Sequence, residues 1–149
     1  MSASFLIHVG AEDWLHPDWR GRFYPADLPD DWRLSYYNTR FQTVYLPAAR
    51  WQTASPAEWA QWLDETQPGF HFLLATGSGA PPLSPRVIVA MPDWAASHVW
   101  WLDDAPDLRA LARRATEQAA AGEPLYVISR QGNLGLLEQV DTLRQVLGY

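Results

Sequence analysis

Two periodicities share this chain. Short apolar runs rich in β-branched and aromatic residues are separated by longer stretches in which apolar residues recur at helical spacing. Phe5–Val9 reads as a buried strand closed by Gly10. Ala11 to Pro29 reads as a long loop, because Pro17, Pro25 and Pro29 forbid a continuous helix. Asp30 or Asp31 can cap a first helix carrying Leu34, Tyr37 and Phe41, and Thr43–Leu46 is a second strand stopped by Pro47. Ser55-Pro56-Ala57-Glu58 is the best local signal: a capping serine, a proline at the first helical position and a glutamate placed for a capping box. Trp59, Trp62 and Leu63 then face inward until Pro68-Gly69, and Phe70–Ala75 is the third strand.

Residues 76–85, TGSGAPPLSP, form a loop. Arg86–Met91 reads as a fourth strand, Pro92–Asp104 as an aromatic loop with Trp94, Trp100 and Trp101, and Asp104 to Ala121 as a helix with Gly122 at its C-terminal cap. Leu125–Ser129 is the fifth strand. Asn133 caps a last helix that turns Leu136, Leu137, Val140, Leu143 and Leu147 inward. Strands interleaved with helices predict a parallel α/β sheet in one domain, residues 1–149. The first, third, fourth and fifth strands are apolar on both alternating faces, so both sides of the sheet need cover.

Composition narrows the chemistry. The absence of cysteine excludes disulfides and thiolate metal sites, and all eleven Lys-plus-Arg positions are arginine, which excludes a lysine Schiff base or P-loop lysine. A net charge of −6 argues against nonspecific nucleic-acid binding. No stretch approaches the roughly 20 apolar residues of a membrane helix, and the N-terminus lacks a basic signal region. A cytoplasmic protein without a cofactor is the expectation. The nine tryptophans are expected mostly in packing.

Three stretches, GAEDWLHPDWRGRFYPADLP, LSYYNTRFQTVYLP and WQTASPAEWAQWLDETQPGFHFLLA, resemble the YecE-like family, a domain of unknown function with a TIM-type barrel. Its G-x-x-x-W turn corresponds to Gly10 to Trp14. Its W-x-G-x-F-Y-P run corresponds to Trp19, Gly21, Phe23, Tyr24 and Pro25, and its S-P helix to Ser55, Pro56 and Trp62. A fainter likeness covers LRALARRATEQAAAGEPLYVISRQGN. A closed barrel needs about 200 to 250 residues. The resemblance therefore implies a shortened, truncated TIM-barrel-like chain with a five-stranded, mainly parallel sheet of βα repeats in the order 3-2-1-5-4. Two places depart from the family: Tyr45 and Pro47 stand in its V-E-I-N pattern, and Ser129, Arg130, Gln131 and Gly132 in its F-N-N-D pattern. Both lie at strand C-terminal ends, where barrels keep their chemistry, so an altered site is expected.

No strong catalytic motif is present. Glu12 and Asp13 are the weak acid–base candidates. With His16 they could approach a metal, but three such residues in a polar loop are more often simply solvated, and no metal site is expected. His8 reads as an interior histidine. Arg50 and Arg130 follow strands on one rim and could hold an anion, joined by Arg20, with Trp14, Tyr24 and Trp51 stacking on a ring or sugar. Two functions follow: a non-catalytic or altered binding and interaction module, or a small enzyme for a phosphorylated or sugar-like ligand. The uncovered sheet face is met either by helices on both sides or by a homodimer, with Trp94–Trp101 as the contact surface; the homodimer is the expected partner, beside a small anionic ligand.

Overall fold

In the computed structural model, which describes residues 6–149, strands β1 (Ile7–Glu12), β2 (Thr43–Leu46), β3 (His71–Ala75), β4 (Val87–Ala90), β5 (Val99–Trp101) and β6 (Leu125–Ser129) form one sheet. Every pairing is parallel, in the order β4-β3-β2-β1-β6-β5. Helices α1 (Arg33–Asn38), α2 (Ala48–Gln52), α3 (Pro56–Glu65), α4 (Pro92–His98), α5 (Leu108–Ala120) and α6 (Leu134–Leu147) complete it. The TIM-barrel-like class therefore holds, as a curled, open half-barrel.

The five-strand count and the order 3-2-1-5-4 are corrected. A sixth strand, Val99–Trp101, sits beside β6 where Arg86–Met91 was expected. The expected fourth strand instead pairs with β3 at the opposite edge. Residues 76–86 are long enough to run back along β3 without a helix, at about 3.3 Å per residue, so β4 lands next to its predecessor. Pro92–Asp104 is correspondingly not one aromatic loop but α4 followed by β5.

Smaller boundaries also move. Phe5 lies outside the described residues, and β1 continues past Gly10 to Glu12 because β2 offers it a partner, Glu12 pairing with Tyr45. Asp30 caps no helix; its carboxylate bonds Arg20 and Arg33 instead, and α1 ends before Phe41. The cap of α5 is Asp107 rather than Asp104, its carboxylate accepting from the Arg109 and Ala110 N–H groups. The capping box at Ser55 and Glu58 and the Asn133 cap of α6 form as expected.

Alternation along the strands separates two faces. The convex face carries Ile7, Val9, Ala11, Val44, Leu46, Phe72, Leu74, Leu125 and Val127, buried beneath Leu34, Trp59, Trp62, Leu111, Ala115, Leu137 and Val140. The WLHPDWRGRFYP segment completes this side as a knot. Trp19 is 1% exposed, donates its indole N–H to the Gly132 carbonyl at 2.9 Å, and lies against Phe23, Tyr24, Tyr37 and Phe41. Gly132 has φ +64°, and a Cβ there would meet Trp19 and His16 at 2.9 Å.

Tyr37 is wired into the sheet itself. Its hydroxyl accepts from the Ala11 N–H at 2.8 Å and donates to the Thr43 carbonyl at 2.7 Å, bridging β1 and β2. A Cβ on Gly10 would fall 1.9 Å from that carbonyl oxygen, so the glycine that opens the loop is required by this close approach.

The concave face is filled by the sheet's own side chains and by α4. Leu73, Val99, Tyr126 and Ile128 form its core, packed with Tyr45, Ile88, Trp94, Ala95 and Trp101. Two contacts reveal the curl. Tyr45 of β2 and Trp101 of β5 lie three strand spacings apart, about 14 Å in a flat sheet, yet their ring centroids are 4.9 Å apart. The Tyr126 hydroxyl of β6 meets His71 Nδ1 of β3, also three spacings away, at 2.9 Å. The face that needed new cover is thus roofed within one chain by α4, whose Trp94 lies 5.5 Å from Tyr126.

Candidate functional site

Strand alternation brings one residue from each of four adjacent strands to the C-terminal rim of the concave face. Tyr45 is the penultimate residue of β2, Glu12 ends β1, Arg130 follows β6 directly and Trp101 ends β5. Glu12 and Arg130 stand one step beyond the last β1–β6 pair, Ala11 with Ser129. The Arg130 guanidinium lies over the Trp101 ring at 3.9 Å, and Tyr45 meets the same indole edge-on. Asp103 braces the turn after β5: one oxygen accepts from the Ser129 hydroxyl at 2.7 Å, the other from the Gln131 N–H at 3.0 Å.

The electrostatics of the rim are asymmetric. Burial pushes the Glu12 carboxyl above its ordinary value, opposed by the positive charge of Arg130 and by His16. Burial also raises Tyr45, again opposed by Arg130. Among the described residues neither Arg130 nor the Glu12 carboxylate makes a hydrogen bond or close ion pair. Arg130 is exposed, so its planar fork faces outward while the indole holds its orientation.

The other expected site residues go elsewhere. Asp13 sits at φ 62°, accepts from the Trp14 N–H, and pairs with Arg50 at 2.9 Å. Arg50 in turn lies over Trp14 and Trp62, at 4.8 and 5.0 Å, on the convex side. It therefore does not share a pocket with Arg130. Tyr24 is buried with its hydroxyl donated to the Trp14 carbonyl, and Trp51 is buried with its indole N–H donated to the Ala75 carbonyl. Arg20 bonds the Ala26 carbonyl and Asp30 at the surface. His16 bonds the Glu12 main-chain oxygen. Among the described residues no cluster of three His, Asp or Glu side chains is arranged to hold a metal ion.

Of the expected residues, then, Glu12 and Arg130 come together. The walls Tyr45 and Trp101 were missing from the expectation. Tyr45 stood out only as a departure at a strand end, and Trp101 was hidden in a segment read as loop. The signal that finds both is the parity shared by His8, Gly10 and Glu12 with Tyr45, Ile128 and Trp101.

Deeper on the same face, His8 is buried and stacks on Tyr126 at 4.6 Å, with His71 at 4.9 Å. Burial, and secondarily Arg86, holds His71 below its usual range. Burial raises Tyr126 to about 12. This His–Tyr cluster lies toward the N-terminal ends of the strands, the side that serves stability in barrels. Among the described residues no helix is long and apolar enough to cross a membrane.

No curated protein matches this chain. The crystal structure of a DUF72 family protein from Thermotoga maritima aligns over 82% of this chain with 19% identity and a TM-score of 0.42. The aligned part spans 43% of that longer chain. Residues 8–77 match the model of the family described as protein of unknown function DUF72, which is YecE-like, and this stretch runs from β1 through the Trp19 knot to the end of β3.

Proposed function

We propose that this chain is a binding module for a small anionic ligand bearing hydroxyl groups, held at the C-terminal rim of the concave face. One observation carries the reading. Arg130 is exposed, lies over Trp101 at 3.9 Å, and makes no hydrogen bond or close ion pair among the described residues. A guanidinium so placed offers two parallel N–H donors to a carboxylate or phosphate. Glu12 and Tyr45 beside it supply an acceptor and a hydroxyl for ligand OH groups, and the Trp101 and Tyr45 rings, set at 82° to each other, supply apolar edges for a sugar-like skeleton.

The test is titration calorimetry and thermal melting with inorganic phosphate, a sugar phosphate and an aldonate. Saturable binding of at least one, abolished in Arg130→Gln, supports the reading. No binding, or binding unchanged by that substitution, overturns it.

A second reading, a small acid–base enzyme, rests on the same carboxyl. Desolvation raises Glu12 toward the range in which a carboxylic acid can donate a proton. Turnover of a bound ligand that disappears in Glu12→Gln, with binding retained, would favour catalysis; binding without turnover favours the module.

A further inference from the structure

Two opposite charges meet at the rim without touching. Glu12 and Arg130 hold equivalent positions on paired neighbouring strands, one step beyond Ala11 and Ser129, and such strands run about 4.8 Å apart. Opposite charges at cross-strand positions attract. Among the described residues, however, no hydrogen bond or close ion pair joins these two. The guanidinium lies over the Trp101 ring at 3.9 Å instead. The two groups are still near enough to act on each other: burial pushes the Glu12 carboxyl up, and Arg130 is the first influence that opposes it. A donor fork and a carboxylate acceptor therefore face one gap from its two sides.

The charges around this gap discriminate between anions. Asp13 and Asp103 act on Glu12 as like charges, and Arg130 and His16 as opposite ones. Asp103 is held at the rim by the Ser129 hydroxyl and the Gln131 N–H. His16 is turned to the Glu12 main-chain oxygen. Arg50 is paired with Asp13 on the convex side and adds no second fork. Tyr45, whose hydroxyl burial keeps protonated, brings no charge. A phosphate ester carries nearly two negative charges at neutral pH, and the second would face Glu12 and Asp103 with no guanidinium to meet it. A carboxylate carries one charge, and its planar pair of oxygens fits a single fork. A hydroxyl on the carbon next to that carboxylate can reach toward Glu12, and an ionised carboxylate only accepts.

We infer that the rim selects 2-hydroxycarboxylates over phosphate esters, with the carboxylate on Arg130 and the C2 hydroxyl donating to Glu12. The inference rests on the anion site proposed above and narrows it to one ligand class. Glu12 is then the specificity-determining residue: its charge repels a second negative charge and rewards a donor beside the first. The rest of a polyol chain meets the edges of Trp101 and Tyr45.

Titration calorimetry near neutral pH tests it with gluconate, its 2-deoxy analogue and a hexose phosphate of the same carbon length. Gluconate is expected to bind the native chain and to lose binding in Arg130→Gln. Removing the C2 hydroxyl should weaken binding about tenfold in the native chain, because a hydrogen bond to a charged group is lost. In Glu12→Ala the acceptor is already gone, and the same removal should cost less than about twofold. The hexose phosphate should bind the native chain about tenfold more weakly than gluconate. Circular dichroism checks that both variants are folded, and the ligand comparison in the native chain needs no variant. A hexose phosphate that binds through Arg130 as tightly as gluconate overturns the inference and leaves the anion site standing. So does a 2-deoxy acid that binds as tightly as its parent, or a C2 effect undiminished in Glu12→Ala. Failure of every anion to bind, or binding indifferent to Arg130→Gln, overturns both.

Discussion

The convex face of the sheet is covered by several helices and an aromatic knot. The concave face is covered by one seven-residue helix and by the sheet's own side chains. One half of the molecule supplies stability and the other is available for chemistry. Trp19, Tyr24, Tyr37 and Phe70 are almost fully enclosed on the convex side, and each buried aromatic removes a large apolar area from water. The concave side keeps its polar groups at two levels, a His–Tyr cluster below and a rim carrying Glu12 and Arg130 above. Aromatic-rich loop sequence therefore marks the scaffold here, while the groups left for a ligand come from single residues at strand ends.

Four substitutions test this contrast. The largest effect is expected from Trp19→Ala, which empties the knot and orphans the Gly132 carbonyl; a loss of about 3–5 kcal/mol in urea denaturation is expected, and a loss below about 1 kcal/mol would show that the knot is not the scaffold. Tyr37→Phe comes next. It keeps the ring but leaves the Ala11 N–H and the Thr43 carbonyl without their bridge, for an expected loss of about 1–3 kcal/mol.

His71→Gln tests the lower concave layer through pH. The folded chain disfavours protonated His71, so its stabilising contribution is present above the ordinary value of 6.5 and is lost as pH falls through the depressed one. The native melting temperature should drop across that window, and the drop should shrink in His71→Gln. The smallest effect belongs to Glu12→Gln. The raised carboxyl contributes stability below its ordinary value of 4.5 and loses it as pH rises through the elevated one. The variant should therefore gain slightly on the native chain at neutral pH, by less than about 1 kcal/mol because the group is partly solvated. A variant that gains nothing at neutral pH relative to acid would remove the desolvation account of Glu12.

Local signals carried much of the fold. Ser55 with Glu58, Asn133, Pro47 and the doubly apolar strands each act over a few residues, and each placed its element. The place of β4 was not legible, because its choice of neighbour rests on how far the linker 76–86 reaches, and linker composition says little about direction. Val99–Trp101 escaped notice because three residues give no alternation to read. At the site, Glu12 and Arg130 were visible as chemistry, yet their partnership was not. It follows from strand parity and from a curl that brings Tyr45 to Trp101, and curl is a property of the whole sheet.

The short α4 segment sets a geometric limit on everything around it. A flat six-strand sheet would put β4 and β5 about 24 Å apart, and seven helical residues advance only about 10 Å. The segment behaves as a bowstring tied to both ends of an arc, so its length fixes the aperture of the half-barrel. One residue inserted into it would swing Trp94 by about 100° off Tyr126 and slacken the arc, whereas a residue added to the 76–85 loop would merely lengthen a surface path. Tolerance to insertion should differ sharply between these two neighbouring connections, because only one of them reaches across the concave face from one edge strand to the other.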